Sequence, residues 1–515
     1  MDSHCVNMGD FLISQKNARE VAVIDAQGSH TYADLRRAVA AQSALLEAAG
    51  LDLGSRVALL GANSFFWVAS YLAILRSGHT AVPLAAVLTP QDALAKMRHV
   101  ACTALFVDER LERRYAEALT DCDHVWSSAL LRAAGETEAP ALQDAAEPAQ
   151  TAVLVFTSGT TSSPRAVMVS HDNIAANTDS IVDYLDLGPS DRMLVVLPFS
   201  YCFGASLLHS HLAVGGSLRI CETQAFPETI VEAIVEDACT GFAGVPSSFQ
   251  LLLRASSFES RVLPTLRHLQ QAGGRLPQAQ IERVVAAQPH ARLFVMYGQT
   301  EATARLAYLP PDELANKPGS VGRAIPGVRL RITDAEGVTL PVGEVGEIRV
   351  RGANVTQGYW GDPAGTAQKY VDSELLTGDV GYLDEDGFLY IEDRRDDFIK
   401  SWGYRVSSHE VEDAILELPA VSAAAVVGRP DAEAGEAVVL FAALRPGSGL
   451  AASDIEAHAR SRLAKHLVPR EVRLLDHLPL NQNGKVAKNE LRALAATPAV
   501  SPEVPRTRRT GGLAS

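Results

Sequence analysis

Cysteine is scarce and scattered in this chain. The six residues, Cys5, Cys102, Cys122, Cys202, Cys221 and Cys239, form no Cys-x-x-Cys pair and no Cys/His spacing that suits zinc. A disulfide scaffold and a zinc module are excluded, and free, mostly buried thiols in a reducing compartment are expected. Long apolar runs are also missing. The most apolar helix-like stretch, Phe65 to Leu75, closes at Arg76 and Gly78, short of the roughly 18–20 residues a membrane helix needs. The opening MDSHCVNMGDFLISQK has no basic flank ahead of an apolar core, so a cytoplasmic protein is expected. Positive charge is short as well: 46 Lys and Arg against 61 Asp and Glu give −15 at pH 7. That balance excludes a dedicated nucleic-acid binder and a basic membrane-surface protein. On its face it also disfavours a polyanionic ligand. No Gly-x-Ser-x-Gly elbow and no Walker A loop occurs, which removes the usual serine-hydrolase and P-loop readings.

What is present is ordinary globular material. The 515 residues are 47 % hydrophobic and 21 % charged, enough for large cores and for about three folding units. Apolar runs rich in β-branched residues, TAVLVFTSG (151–159), RMLVVLP (192–198), GSLRI (216–220) and RLFVMYG (292–298), suit strands covered on both faces. Helix-length segments such as 228–238 and 278–287 separate them, so the fold class is α/β with parallel-type sheets. Past residue 320 the pattern alternates into a small β-region, and GYLDEDGFLYIED reads as a hairpin turning at Asp386-Gly387.

After the charge run DRRDD (393–397) comes a compact α+β unit. It holds a helix from Ser407 with Glu410 at capping-box spacing, closed before Pro419, then strands at 421–427 and 437–444. A helix after Ser453, with Glu456 three residues on, completes it. The expected division is a large domain over 1–395, a small mobile domain over 396–496 and a disordered tail over 497–515, with a surface loop at 133–148. Charge divides the same way: residues 397–515 sum to +1 and residues 1–396 to −16.

The strongest local signal is FTSGTTSSPRAVMVSH, Phe156 to His171. A buried strand enters a turn of hydroxyls and glycine, Thr157, Ser158, Gly159, Thr160 and Thr161, with Arg165 close behind. Hydroxyls and turn N–H groups can cradle phosphate oxygens, and a nearby cation can neutralise them. An ordinary Ser/Thr loop after a strand is the plain alternative for this segment alone.

Four further motifs follow in order: YGQTEAT (297–303), TGDVGYLDEDG (377–387), DRRDDFIKSWGYRVSSHEVE (393–412) and LPLNQNGKVAK (478–488). With the phosphate loop they resemble the adenylate-forming superfamily of acyl-CoA synthetases, aryl-CoA ligases, luciferases and peptide-synthetase adenylation domains, over roughly residues 10 to 495. The resemblance implies activation of a carboxylate by ATP to an acyl-adenylate and pyrophosphate, followed by acyl transfer to a nucleophile. It implies that Tyr297 stacks on adenine beside Gly273 and Gly274, and that Thr300 contacts the α-phosphate. Glu301 would ligate Mg²⁺, Asp379 would accept the ribose hydroxyls with Arg394 adding a donor, and Lys485 would bridge carboxylate and phosphate oxygens. Asp396 would be the hinge on which the small domain turns between half-reactions, bringing the 400–405 loop in place of Lys485.

Three loop positions depart from the family pattern: Ser162 and Ala166 stand where glycine is usual, and Arg165 where lysine is. Tyr201, in PFSYCFG, stands in a histidine place. No Asp lies there to pair an ammonium, so a non-amino-acid carboxylic acid is expected in a pocket lined by Tyr201, Phe203, Phe242, Gly244 and Gln299. The acceptor loop reads Trp402-Gly403-Tyr404-Arg405, where many relatives have Gly-Gly. Coenzyme A is the leading acceptor. Direct amide formation with an amino acid or amine, as in coronafacate-type ligases, and loading of a carrier protein are the alternatives. A catalytically lapsed nucleotide- or acyl-binding regulator is the alternative from another class.

Overall fold

The computed structural model describes residues 7–14, 16–129, 149–157, 165–221, 226–395, 397–445 and 447–497. The expected surface loop at 133–148, Ser158, Gly159, Thr160, Thr161, Ser162, Asp396 and the tail from 498 lie outside the described residues.

The chain forms two compact units, one of residues 1–396 with Leu480–Lys485, the other of 397–479 with 486–515. In the first, a six-stranded sheet runs His124–Ser127, Ala104–Val107, Arg56–Gly61, Thr80–Ala85, Thr151–Thr157, Arg165–Ser170. Its members pair in parallel except the last two, which are antiparallel and bring Thr157 opposite Arg165. The central residues Val57 to Leu60 and Ala104 to Val107 are buried without alternation, as strands covered on both faces require.

The larger sheet supplies most of the site. Val21–Asp25, Ser217–Ile220, Arg192–Val195, Gly241–Gly244, His268–Gln271 and Arg292–Tyr297 lie side by side in parallel. Direction reverses after Tyr297: Ala307–Leu309, Ser320–Ala324, Leu389–Arg394, Glu374–Leu383, Gly346–Gly352 and Val328–Thr333 continue the sheet antiparallel. The small β-region is thus an extension of the parallel sheet, and Tyr297 ends the last parallel strand where the pairing switches. Open α/β sheets leave a crevice at the C-terminal ends of such strands.

The predicted helix 278–287 is present as Gln278–Ala287, and the one expected over 228–238 ends at Glu236. Helix Phe65–Arg76 and helix Cys202–Ala213 are buried nearly all round, the former capped by the Ser64 hydroxyl. The hairpin turns where expected, with Gly387 at φ +78° and its N–H on the Asp384 carbonyl. Five cysteines among the described residues form no disulfide, Cys202 and Cys239 buried and the other three half-buried. No helix among the described residues is long and apolar enough to cross a membrane.

The second unit has strands Ile399–Ser401, Tyr404–Val406, Val421–Asp431, Gly435–Leu444 and Glu471–Leu475, with helices Ser408–Leu416, Ala452–Arg462 and Lys488–Ala496. Ser407 is the N-cap as expected, but without a capping hydrogen bond from its side chain. The helix expected after Ser453 begins two residues earlier, because Asp454 rather than Glu456 reaches back and accepts the Ala451 N–H at 2.8 Å.

Candidate active site

Tyr297 closes a strand of buried apolar residues and is itself buried at the strand end. Its hydroxyl donates to Oδ2 of Asp379 at 2.5 Å. Asp379 lies in strand Glu374–Leu383, only 6 % exposed, and the register sets Arg394 across from it. Arg394 Nε stands 3.4 Å from Oδ1, and the Asp379 N–H donates to the Thr377 hydroxyl at 3.1 Å. Burial first, then the Asp379 charge, push the Tyr297 phenol well above its ordinary pKa, so it remains a donor at all working pH. Each Asp379 oxygen has two lone pairs, so acceptor capacity remains for two further hydroxyls.

From Tyr297 the chain makes a pinched loop. A Cβ on Gly298 would sit 1.8 Å from the Ala304 carbonyl oxygen, so only glycine allows the two backbones to pass. The Leu306 N–H returns to the Tyr297 carbonyl at 2.8 Å and closes the loop. Inside it, Thr300–Ala302 form one turn of 3₁₀ helix. Thr300 donates its hydroxyl to Cys202 Sγ at 3.4 Å. The Glu301 carbonyl takes the Thr356 N–H and hydroxyl, both at 3.0 Å, and Tyr359 donates its hydroxyl to Glu301 Oε1 at 2.8 Å. The Arg165 guanidinium lies 5.3 Å from the Tyr359 ring centroid, which puts the cation of the hydroxyl-rich turn beside the partner of Glu301. Burial and the Glu301 charge raise the Tyr359 pKa, keeping that hydroxyl protonated.

Gly273 has φ +86°, and a Cβ there would meet Val245 Cγ1 at 2.9 Å and the Tyr201 hydroxyl at 3.0 Å. Gly274 abuts Pro246. The segment Leu480–Lys485 belongs to this same unit. It folds as a turn in which Asn481 Oδ1 accepts the Asn483 and Lys485 N–H groups, while Ser247 donates to the Gly484 carbonyl at 2.8 Å. Lys485 Nζ then stands 5.5 Å from the Tyr201 ring centroid. Burial first and the Arg394 charge second lower its pKa, while Asp379 and Glu301 act the other way.

The other pocket residues divide. Phe203 packs against Tyr201, ring centroids 6.4 Å apart. Gln299 has a buried Nε2 with no hydrogen-bond partner among the described residues. Phe242 is fully buried edge-on to Phe249, and a Cβ on Gly244 would meet Ser248 at 2.8 Å, so both also pack against helix Pro246–Ala255. His209 and His211 are internally satisfied, by the Tyr71 hydroxyl and the Leu207 carbonyl.

Sequence reasoning missed Tyr359, Thr377, Cys202 and Arg305. For Arg305 a signal existed: an arginine interrupts an otherwise apolar run before strand Ala307–Leu309. Tyr359 had none, since it stands 58 residues from the carboxylate it holds.

In the second unit, Trp402 (φ +54°) and Gly403 (φ +79°) are the two central residues of a tight hairpin in which Ser401 pairs Tyr404. Positive φ at both positions suits glycine, and a tryptophan there is strained. Trp402 and Tyr404 are 52 % and 56 % exposed. Tyr404 stacks on His466, and Arg470 stands 5.5 Å from the Trp402 ring centroid. A shallow cavity of about 340 Å³ is lined there by Trp402, Arg460, Lys465, His466 and Arg470, among others. Cations around an aromatic face suit an anionic group attached to a planar ring.

The arrangement as a whole offers a charge-assisted acceptor pair, a single carboxylate, a threonine hydroxyl and a partly buried lysine. Several proteins similar to this chain are ligases. The 3-[(3aS,4S,7aS)-7a-methyl-1,5-dioxo-octahydro-1H-inden-4-yl]propanoyl:CoA ligase of Rhodococcus jostii is 30 % identical over 499 residues, covering 92 % of this chain and 95 % of its own. Indoleacetate–CoA ligase of Aromatoleum aromaticum is 31 % identical over 483 residues, covering 90 % and 93 %. Among solved structures, amide bond synthetase McbA from Marinactinospora thermotolerans superposes with a TM-score of 0.87 at 31 % identity, covering 96 % and 100 %. ATP-bound MatB from Rhodopseudomonas palustris gives 0.87 at 28 %, covering 95 % and 98 %. Residues 13–360 match the AMP-binding enzyme family and 410–485 the AMP-binding enzyme C-terminal domain, so the chain belongs to the AMP-binding enzymes and is an ATP-dependent, AMP-forming carboxylate ligase.

Proposed function

We propose that this ligase joins a non-amino-acid carboxylic acid to coenzyme A. The observation that carries the reading is the convergence of Tyr297, Asp379, Thr300, Glu301 and Lys485 on the strand-end crevice of one unit. Adenine would lie on the Tyr297 ring beside Gly273, and the ribose hydroxyls would donate to Asp379, already polarised by Arg394. Glu301, held by Tyr359, fits one carboxylate ligand of Mg²⁺, a hard cation that takes few protein ligands at phosphate sites. When bound, that ion neutralises phosphate charge and orients the pyrophosphate leaving group.

The reacting carboxylate attacks the α-phosphorus, the bond to pyrophosphate breaks, and negative charge grows on the equatorial oxygens. Thr300 supplies a hydroxyl donor and Lys485 a point charge at that position. A partly desolvated lysine interacts more strongly with developing charge than a hydrated one. Coenzyme A as acceptor is supported by the relatives named as CoA ligases and by the cationic, aromatic cavity around Trp402 and Arg470, which suits a phosphorylated nucleoside. The free thiols fit a reducing cytoplasm.

Amide formation is the second reading. The likeness to an amide bond synthetase over nearly the whole chain favours it, as does Trp402 standing in a turn that glycine would relax. Incubation with ATP, Mg²⁺ and an acid panel should release pyrophosphate and, with hydroxylamine, yield hydroxamates. Offered CoA and mixed amino acids in competition, the enzyme should give acyl-CoA by mass spectrometry. Amide products alone would replace the thioester reading, and no pyrophosphate from any acid would remove both.

A further inference from the structure

Arg305 is one of the largest fully buried side chains in the molecule, 1 % exposed. Its Nε and Nη2 have no hydrogen-bond acceptor, and no carboxylate pairs it among the described residues. A guanidinium keeps its charge at working pH, and a buried cation with no counter-ion is among the costliest features a fold can hold. What surrounds it compensates only in part. The guanidinium lies 4.1 Å from the Phe203 ring centroid. It also hydrogen-bonds the Tyr184 hydroxyl, whose own proton goes to Met296 Sδ at 3.2 Å, so one neutral acceptor is all that meets the charge among the described residues.

The backbone here is over-determined. The Arg305 carbonyl accepts from Asn354 at 2.8 Å and Asn177 at 3.3 Å, and the loop is pinched at Gly298. The side chain is therefore held where it is.

A second observation points the same way. Gln270 is fully buried with neither Nε2 nor Oε1 partnered. The register sets it beside Phe294, and Phe294 and Met296 are the strand residues that Tyr184 touches. Gln270 therefore shares the sheet face that carries the Tyr184 and Arg305 cluster. The Phe203 ring on Arg305 is in turn the neighbour of Tyr201, against which Lys485 stands.

We propose that Arg305 is a specificity-determining residue that receives a second carboxylate at the far end of the acid being activated, with Gln270 as a neutral donor beside it. This rests on the ligase reading and names its substrate class: dianionic acids whose second charge lies beyond the Tyr201 and Phe203 rings. An incoming carboxylate accepts from Nε and Nη2 in the planar, two-point geometry that guanidinium favours. The pairing also removes the desolvation cost of a cation with no counter-ion, so selectivity over a neutral isostere is large.

The test uses the full chain, pyrophosphate release and dicarboxylic acids of graded length, each beside its mono-methyl ester. The wild type should favour at least one diacid over its ester by tenfold or more in kcat/KM, carried in KM. Arg305→Met should cut that preference at least tenfold, Arg305→Lys should restore part of it, and Gln270→Leu should lower it a few-fold. Near-UV circular dichroism reports whether each variant is folded. A wild type that prefers the ester at every length overturns the proposal and leaves the ligase reading standing, even if no variant folds. So does a folded Arg305→Met that slows both members of each pair equally. Absence of pyrophosphate with every acid removes the ligase reading itself, and this proposal with it.

Discussion

The two halves of the first unit's site are built on opposite terms. Around Tyr297 the polar side chains already have partners: Tyr297 with Asp379, Asp379 with Arg394, Glu301 with Tyr359, Thr300 with Cys202. On the other side, Arg305 against Phe203 keeps Nε and Nη2 without acceptors and no carboxylate beside it among the described residues, and Gln270 has neither side-chain atom partnered. A site for a ligand that never varies can be pre-set by internal hydrogen bonds, because the same groups are wanted in the same places at every turnover. A site that selects among acids must hold its recognising groups in reserve. On the proposed reading, the first half is machinery and the second is address.

The largest expected effect breaks the machinery half. Lys485→Ala should lower pyrophosphate release by about a hundredfold or more, the size expected for a lost charge-stabilising group, with ATP affinity by calorimetry changed far less. Gly298→Ala should damage both halves together, since the loop bearing Thr300, Glu301 and Arg305 must open. KM for ATP and for the acid should rise in parallel and Tm should drop by several degrees, consistent with a backbone clash costing a few kcal/mol. Asp379→Asn should raise KM for ATP roughly tenfold, the scale of one charge-assisted hydrogen bond, and leave the order of preference among acids as in the wild type. Tyr359→Phe should raise the Mg²⁺ concentration for half-maximal rate by about tenfold, as loss of an outer-shell donor does, again without reordering the acids. If either variant reorders them, the two halves are coupled and the comparison fails.

The smallest effect concerns pH and spares the chemistry. Burial depresses His171 and His211 to about 4 and His209 to about 3. Below about 6.5 the unfolded chain takes up protons that the folded chain refuses. Stability should therefore be whole above that pH and decline progressively as pH falls toward 4, seen as a falling Tm. A flat Tm over that range would show these histidines to be accessible.

The sequence made the motifs legible because each is a contiguous stretch whose own backbone sets its shape. Thr300 and Glu301 are adjacent, Asp386-Gly387 must turn, and the strand ending at Tyr297 is an apolar run. The same locality explains the errors. Tyr359 was out of reach because the carboxylate it holds lies 58 residues away, and which strand meets which helix is a tertiary matter. The helix start at Ala451 moved for a smaller reason, the choice between two acidic residues of similar capping ability.

By itself, then, the sequence determined the α/β class and the order of the parts, written in short-range patterns of burial, turns and charge, while adenylate formation was implied by the resemblance of its five ordered motifs to a known family. Only the tertiary structure decided that Tyr359 steadies Glu301 and that the turn bearing Lys485 sits with the first unit beside Tyr201. It alone decided that Arg305 is enclosed with two of its nitrogens lacking acceptors. Whether a buried group has a partner depends on residues distant in the chain, and no local pattern records that.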